Sequence, residues 1–321
     1  MEVNCEGCAG CCLDWQPLLA ELTDERTVSD SSRGPLHSGE KGRPPLDDDP
    51  NFVALTRDEV RGFLEAGMAA ALTPRFWYAR DDAEGVSIDG YEVAAVSGRP
   101  VFFVGLRKPP KPVAPFGREE PTWLPACVFL DPETLQCRIH EDDLFPAECG
   151  AYPAHNLALE HETECERVEA AVGGERLLED DVETTPEDLL LGSQAIGEKL
   201  FCHPRPEGLE GTIGRVAQGE LATADRAECL AVAAASSPGT LAISEYHYEW
   251  GKERALDDES ESWVGPAIGE WNERAEAGVE PTPELGDAVE EARGAPTTPG
   301  WELTSDEYGS DTIEETGSDE Q

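Results

Sequence analysis

The 321-residue chain has few positively charged side chains. It contains 24 Lys and Arg residues against 68 Asp and Glu residues, for a formal net charge of −44 at pH 7. Only five of the basic residues are lysines, and they are scattered along the chain. A nucleic-acid backbone is bound by clustered Lys and Arg, so we expect no nucleic-acid partner.

Long apolar runs are missing as well. No segment approaches the roughly eighteen consecutive apolar residues of a membrane helix, so we expect no membrane partner. The glycine-rich dinucleotide and phosphate motifs, a Ser/His/Asp arrangement and the C-x3-C-x2-C spacing of radical S-adenosylmethionine enzymes are also absent. The sequence therefore gives no support to ordinary hydrolase, kinase or dehydrogenase functions.

The acidic excess is spread through the chain. Acids crowd the middle at 160–164 and 179–181 as well as the C-terminal end. Dispersed Asp and Glu with few lysines are typical of proteins from salt-accumulating halophiles, because a Debye length of about 3 Å at molar salt screens the self-repulsion. The composition therefore predicts a halophilic protein whose folding depends on salt.

Four of the ten cysteines lie within the first twelve residues. Their spacing is C-x-x-C-x-x-C-C, from Cys5 to Cys12, and thiols this close in sequence are typical of a metal site. Adjacent cysteines do not easily bridge each other, and no secretory signal precedes them, which argues against a disulfide-rich start. We therefore expect a cytoplasmic protein that binds metal at this end.

Four more cysteines follow between residues 127 and 165. Cys127 and Cys137 lie on the two arms of a predicted hairpin, and Cys149 and Cys165 lie in a turn-rich region beyond it. C-x-x-C spacing lets two sulfurs meet one tetrahedral ion at about 2.3 Å, which suits zinc and iron–sulfur chemistry equally. The candidate metal ligands are Cys5, Cys8, Cys11, Cys12, Cys127, Cys137, Cys149 and Cys165.

Adjacent cysteines are expected to point in different directions. Cys11 and Cys12 would then serve different metals, or two halves of a shared site. Eight sulfurs allow two four-thiolate sites or one cluster with spare ligands. The bacterial ferredoxin spacing does not fit, because its fourth cysteine comes later and is followed by proline.

These motifs resemble a family of zinc- or iron-chelating CxxCxxCC proteins, also called YkgJ-like cysteine-cluster proteins. Besides the N-terminal motif, the residues that carry the resemblance are Cys127-x-Phe-Leu, Cys137-x-Ile, Pro146-x-x-Cys149 and Tyr152-Pro153. The positions that depart from the family pattern, which has one Tyr and two Arg, are His140, Phe145 and Gly150. The resemblance spans about residues 1–165.

The resemblance implies a metal-binding protein whose thiolates hold zinc or an iron–sulfur cluster. Some relatives look like flagellin lysine methylases. Three hypotheses therefore stay open: a structural metal domain, an iron–sulfur oxidoreductase or electron-transfer protein, and a lysine N-methyltransferase-like enzyme. Whether the chain is an enzyme, and which protein partner it has, are not predicted.

The fold class we predict is α+β. A small, irregular, cysteine-rich metal-binding domain with β-hairpins should occupy 1–170, with a loop or insertion at 27–50. A mainly helical region should follow at 171–284, and a disordered acidic tail at 285–321.

Local patterns add detail to this prediction. They predict a capped helix from Thr56 to about Ala71, a hairpin at 86–106, an exposed Pro-rich linker at 106–117 and a helix opening at 185–188.

Several further residues are candidates for the site or for the core. We expect His140 at the surface or as a hydrogen-bond donor beside the metal, and the other histidines of this region, His155 and His161, in solvent. Cys202 should be a buried or spare thiol at a helix end. The core should contain Cys229, the aromatic run at 76–78 and the stripe of Ile243, Tyr246, His247, Trp250 and Arg254, with Trp263 and Trp271 covering the same bundle.

Overall fold

The computed structural model describes residues 2–5, 7–22, 44–47, 51–80, 84–140, 142–179, 190, 192–257 and 262–298. The α-helices of these ranges are α1 Gln16–Leu22, α2 Arg57–Glu65, α3 Ala147–Ala151, α4 Ala154–Ala158, α5 Glu164–Val172, α6 Thr212–Gln218, α7 Thr223–Ala235, α8 Glu245–Ala255, α9 Val264–Glu276 and α10 Pro283–Glu291. The strands are β1 Glu2–Val3, β2 Leu72–Phe76, β3 Gly85–Ile88, β4 Tyr91–Val96, β5 Arg99–Leu106, β6 Pro110–Val113, β7 Thr122–Pro125, β8 Leu177–Glu179 and β9 Phe201–Cys202. The predicted helix opening at 185–188 and most of the predicted loop at 27–50 lie outside the described residues.

The main sheet is antiparallel, with strand order β2-β5-β4-β3 and with β9 added along β5. The turns at Asp89-Gly90 and Ser97-Gly98 all have positive φ, which matches the right-handed twist of the strands that they join. The hairpin predicted at 86–106 is confirmed. It contains one turn more than predicted, because Asp89-Gly90 divides the first β-rich run into β3 and β4.

Helix α7 packs against the sheet and against α2 and α8. Small residues on both helices let α7 and α8 approach closely: a Cβ on Gly251 of α8 would lie only 3.1 Å from the Cβ of Ala234 of α7. Cys229 is fully buried in this helix, as predicted. The core cluster also includes Phe129 and Trp263, so one core draws on both sides of the predicted boundary at 170. The fold is α+β with a helical C-terminal region.

A carboxylate on α7 joins the sheet to α8. Glu228 accepts hydrogen bonds from the Tyr248 hydroxyl at 2.6 Å and from Lys252 Nζ at 2.9 Å. Its other oxygen lies 3.1 Å from Nε2 of His203, whose side chain is fully buried. These contacts tie the segment after β9 to two helices. Phe201 and Cys202 form a strand because they pair with β5, so the predicted helix end there is wrong.

Helix α2 shows how local sequence determines an element. Thr56 and Glu59 form the predicted capping box, in which each side chain accepts the other's backbone N–H. The helix ends at Glu65, earlier than predicted, because Gly67 adopts a φ of 69° that stops it. The following Ala69–Ala71 forms a separate 3-10 turn.

The Pro-rich stretch expected to be an exposed linker is a buried strand. Residues 110–113 pair with β7, and the Lys111 side chain is fully buried. The prediction is wrong because this strand pair covers a second small core built around Trp15 and Leu124. A two-stranded ladder also tolerates prolines, since one edge of each strand needs no partner.

The predicted disordered tail does not begin at 285. Helix α10 is capped by Thr282, has Pro283 in its first turn, and buries Val289 and Glu290 completely or nearly so. Ordered chain continues to residue 298, and 299–321 lie outside the described residues. Burial against the Pro-rich strand and the cysteine hairpin stabilises a segment that composition alone predicts to be unfolded.

The stripe predicted around α8 is only partly right, because Ile243 and Trp250 pack against the core while partly exposed, and Tyr246 does not. The buried residues of this helix are Tyr248, Gly251 and Ala255, whereas Tyr246 is 75% exposed. Trp263 and Trp271 are buried, as predicted. None of the helices within the described ranges has both the length and the apolar character needed to cross a bilayer.

Candidate metal centre

The N-terminal motif is a tight loop that ends in a single 3-10 turn at Gly10–Cys12. Gly7 and Ala9 both have positive φ, so the chain reverses sharply inside the motif. The backbone N–H of Cys8 donates to the Cys5 carbonyl at 3.1 Å. This conformation folds four sulfurs into one short loop.

Helix α5 packs directly on this loop and brings Cys165 with it. A Cβ on Gly10 would lie only 2.7 Å from Val168 Cγ2, so this contact requires glycine. Thr163 and Glu166 cap the start of α5, which holds Cys165 in the first turn. Sequence spacing gave no indication that α5 and the first loop would meet.

A buried carboxylate completes this contact. Glu164 accepts a hydrogen bond from Trp15 Nε1, and its backbone N–H donates to the Tyr152 hydroxyl. Arg167 Nε donates to the same carboxylate at 2.8 Å. Glu164 therefore links the N-terminal loop, α5 and the Tyr-Pro pair of the motif.

The second half of the centre is tied to the first by backbone pairing. The Cys127 N–H donates to the Cys12 carbonyl at 2.6 Å, and the Asp14 N–H donates to the Pro125 carbonyl at 2.7 Å. These bonds pair the segment that follows the first motif with the segment that precedes Cys127, in antiparallel orientation. Cys12 and Cys127 are thereby neighbours.

Cys137 returns to the same region through the predicted hairpin. Leu130 and Cys137 form an isolated bridge, and Asp131 Oδ1 accepts from the Glu133 and Thr134 N–H groups at 2.9 and 3.0 Å. The hairpin is therefore confirmed, but as a capped turn with one bridge in place of regular strands. Asx capping by Asp131 is the local signal for it.

Cys149 lies in α3, beside a charged contact. The neighbouring Glu148 pairs with Lys199, and its carboxylate also lies 3.6 Å from Nδ1 of His155. His155 is buried, so the prediction that it is solvated is wrong, because its ring packs beside Glu148 instead of facing water. His140 is exposed, as predicted, with its ring 4.9 Å from that of Phe145.

The adjacent cysteines do not point apart. The Sγ atoms of Cys11 and Cys12 lie 3.8 Å apart. This is about the separation of two sulfurs that share a tetrahedral ion at 2.3 Å. The expectation that they diverge is wrong: the two sulfurs approach each other although consecutive residues of a 3-10 turn are rotated by about 120°.

The remaining six thiols all interact electrostatically with Cys11. Burial is the main cause of their raised pKa values, and repulsion from Cys11 raises the pKa of every one of them further. The pKa of Cys5 reaches about 11, and those of Cys137 and Cys165 reach about 12. Without a cation these thiols are protonated at neutral pH, and ionising them together requires positive charge nearby.

The same interactions divide the thiols into two groups. Burial is the largest cause of the raised pKa of Cys165, and repulsion from Cys11, Cys5 and Cys8 raises this pKa further. The pKa of Cys12 is lowered by its hydrogen bond with Cys11, but burial and repulsion by the thiols of the hairpin and α3 raise it overall. The first group is Cys5, Cys8 and Cys165, the second is Cys127, Cys137 and Cys149, and the pair of Cys11 and Cys12 joins them.

Several interactions favour thiolates in this centre. Three sulfurs accept a backbone N–H from the residue two positions later, which lowers their pKa against the effect of burial: Cys8 from Gly10, Cys127 from Phe129 and Cys137 from Ile139. Nearby cations act in the same direction on one or more of the thiols: Lys108, Lys111 and Arg176. Sequence reasoning missed these cations, since two of them lie in the supposed linker.

The donor set fits a thiophilic metal. The eight predicted ligands are all cysteines, and soft thiolates select zinc or iron–sulfur clusters. Within the residues that the structure describes, however, no three His, Cys, Asp or Glu side chains are already grouped closely enough to hold an ion. The centre therefore gathers the ligands without closing them into a coordination sphere.

The other two cysteines belong to the core. Cys202 lies in β9, and burial raises its pKa to about 11. Cys229 is fully buried in α7. Cys202 is thus a buried thiol outside the centre, as predicted, although in a strand.

Comparison with known proteins identifies a family but no function. No curated protein matched the chain. No solved structure matched it either. One family model, described as a family of unknown function (DUF7531), matches residues 1–302. The chain belongs to this family of unknown function.

Proposed function

We propose that the chain is a metal-binding protein that holds zinc or an iron–sulfur cluster through the eight thiols of this centre. The observation that carries the proposal is the pair of Cys11 and Cys12, whose sulfurs lie 3.8 Å apart, together with the repulsion that Cys11 exerts on each of the other six predicted thiols. Buried thiols that repel one another gain stability when a cation replaces their protons. The YkgJ-like spacing of the motif supports the same proposal.

The residues of the centre have distinct roles in this proposal. The eight thiolates bind the metal, and the N–H groups of Gly10, Phe129 and Ile139 stabilise three of them as anions. Lys108, Lys111 and Arg176 offset the remaining negative charge. Bound zinc would supply a structural crosslink between loops, and a bound cluster would supply one-electron transfer.

No substrate is assigned to the centre. Two of the surface depressions in the described part of the chain are lined by Asp89, Glu207 and Glu210, and by Tyr246, His247 and Trp250, without any cysteine. A structural or electron-transfer role is the first candidate, because metal-bound thiolates supply either role directly, and the methyltransferase-like role is the alternative. All ten cysteines are free, which supports a reducing, cytoplasmic location.

The test is metal and sulfide content after anaerobic purification in high salt. We expect zinc, or iron with acid-labile sulfide, bound to the wild-type protein. Cys137→Ser and Cys165→Ser, one from each group, should each lose metal. Cys202→Ser is the matched control and should retain it. A folded wild-type protein without zinc or iron would disprove the proposal.

A further inference from the structure

The hairpin that carries Cys127 and Cys137 is attached to a distant part of the chain. Side chains of the hairpin form hydrogen bonds and ion pairs with α10 and with the segment that follows α10. Arg138, next to Cys137, donates through Nη2 to Asp287 at 2.5 Å and through Nη1 to the Pro296 carbonyl at 2.8 Å. Thr298 donates to Asp131 at the tip of the same hairpin.

Glu290 is the central group of this attachment. Its fully buried carboxylate pairs with Lys111 at 2.8 Å through one oxygen and with Arg138 through the other. Lys111 Nζ donates in turn to the carbonyls of Val128 and Leu130 at 2.7 and 2.5 Å, on the first arm of the hairpin. One carboxylate therefore holds both arms.

The backbone of α10 is equally close. A Cβ on Gly286 would lie 2.7 Å from Pro132 Cγ, in the hairpin turn, and 2.9 Å from Pro112 Cγ in β6. Lys111 also lies 4.4 Å from the centre of the Trp271 ring in α9. Removing α10 would take the only carboxylate partner that the described residues give Lys111 and would leave Arg138 with Asp131 alone, which is unfavourable for buried cations.

We infer that α10, through Glu290, positions the hairpin for metal binding, so that docking of α10 and occupation of the cysteine centre are coupled. The inference rests on the proposed function. A ligand that requires one arrangement of the hairpin favours the arrangement in which α10 is docked, and by linkage removal of the ligand loosens α10. Helix α10 thus regulates the affinity of a site whose predicted ligands lie between residues 5 and 165.

The test compares Zn²⁺ affinity, measured by competition with a chromophoric chelator, in the full-length, reduced protein. Glu290→Gln should bind Zn²⁺ at least about tenfold more weakly, because the neutral amide leaves the buried Lys111 without a counter-charge and removes one of the three carboxylates that pair with Arg138. Glu291→Gln, the exposed neighbour on the same helix, should bind as the wild type does. Glu228→Gln is a second control, because it breaks a buried ion network away from the hairpin.

Hydrogen exchange supplies the reciprocal readout. Chelation of Zn²⁺ from the wild type should speed amide exchange in 283–291, while exchange in α7 changes little. If Glu290→Gln does not fold, Asp287→Asn should show the same effect to a smaller degree, because it removes one charged contact to Arg138 and leaves Glu290 in place.

The outcomes separate this inference from the proposed function. Equal Zn²⁺ affinity of the wild type and Glu290→Gln, or equal losses in Glu290→Gln and Glu228→Gln, would overturn the coupling and leave metal binding intact. A wild-type protein that binds no metal would overturn the proposed function and the coupling with it.

Discussion

Replacing Glu228 by Gln removes the charge that three side chains share at the junction of β9, α7 and α8. Burial raises the pKa of this carboxyl, but hydrogen bonds from His203, Tyr248 and Lys252 outweigh burial and lower it from 4.5 to about 2. That difference corresponds to about 3 kcal/mol of folding free energy at neutral pH. We therefore expect Glu228→Gln to unfold about 3 kcal/mol more easily than the wild type.

The pH dependence follows from the direction of the shift. The carboxyl has a lower pKa in the folded than in the unfolded protein, so its stabilisation is complete above pH 4.5 and is lost as the pH falls towards 2. The gap between wild type and Glu228→Gln should shrink from about 3 kcal/mol at neutral pH to about 2 kcal/mol at about pH 3.5. Taking the difference between two variants removes the contribution of the other acids.

Urea unfolding followed by circular dichroism, in about 2 M NaCl to screen the net charge, measures this gap. Glu249→Gln, an exposed change one residue from Tyr248, is the matched control and should differ little from the wild type. A gap under about 1 kcal/mol at neutral pH would show that the network contributes no more than surface ion pairs do. If the difference in unfolding free energy stayed at its full neutral-pH value at about pH 3.5, ionisation of Glu228 would not be its cause.

Other measurements test separate parts of the structure. The midpoint of thermal unfolding should be higher in about 2 M than in about 0.1 M NaCl, because salt screens a net charge of −44; a lower midpoint in salt would contradict this. Gly286→Ala should cost about 1–3 kcal/mol through its clash with Pro112 and Pro132, whereas Gly269→Ala, with open space around it, should be neutral or stabilising in the same urea assay. Thr56→Ala should cost about 1 kcal/mol by loss of the α2 cap, and equal stability would argue against the capping box.

Elements determined by neighbouring residues could be predicted from the sequence. The capping box at Thr56, the turn at Ser97-Gly98 and the capped turn at Asp131 all depend on contacts within a few residues. The cysteines of the centre were identifiable for the same reason, because ligand spacing is itself local. The closeness of the Cys11 and Cys12 sulfurs was not, since it depends on the backbone of one 3-10 turn.

Elements determined by distant contacts could not be predicted. Lys111 reads as part of a linker because its partner, Glu290, is 179 residues away. The first turn of α10 carries ordinary helix signals, but its acidic surroundings resemble a disordered tail, and only the buried cations distinguish the two. On α8, Tyr246 and Tyr248 are both aromatic, and periodicity alone does not decide which face meets α7.

The ion pairs of Glu290 also impose an order on synthesis. Lys111 and Arg138 emerge from the ribosome 179 and 152 residues before the carboxylate that neutralises them. At about 5–20 residues per second, the nascent cysteine hairpin waits roughly 8–36 seconds for its counter-charge. During that interval its cations remain hydrated and its thiols stay accessible. A chain released after Cys229 but before Glu290 would carry every cysteine of the protein and still lack the carboxylate that binds both arms of the hairpin.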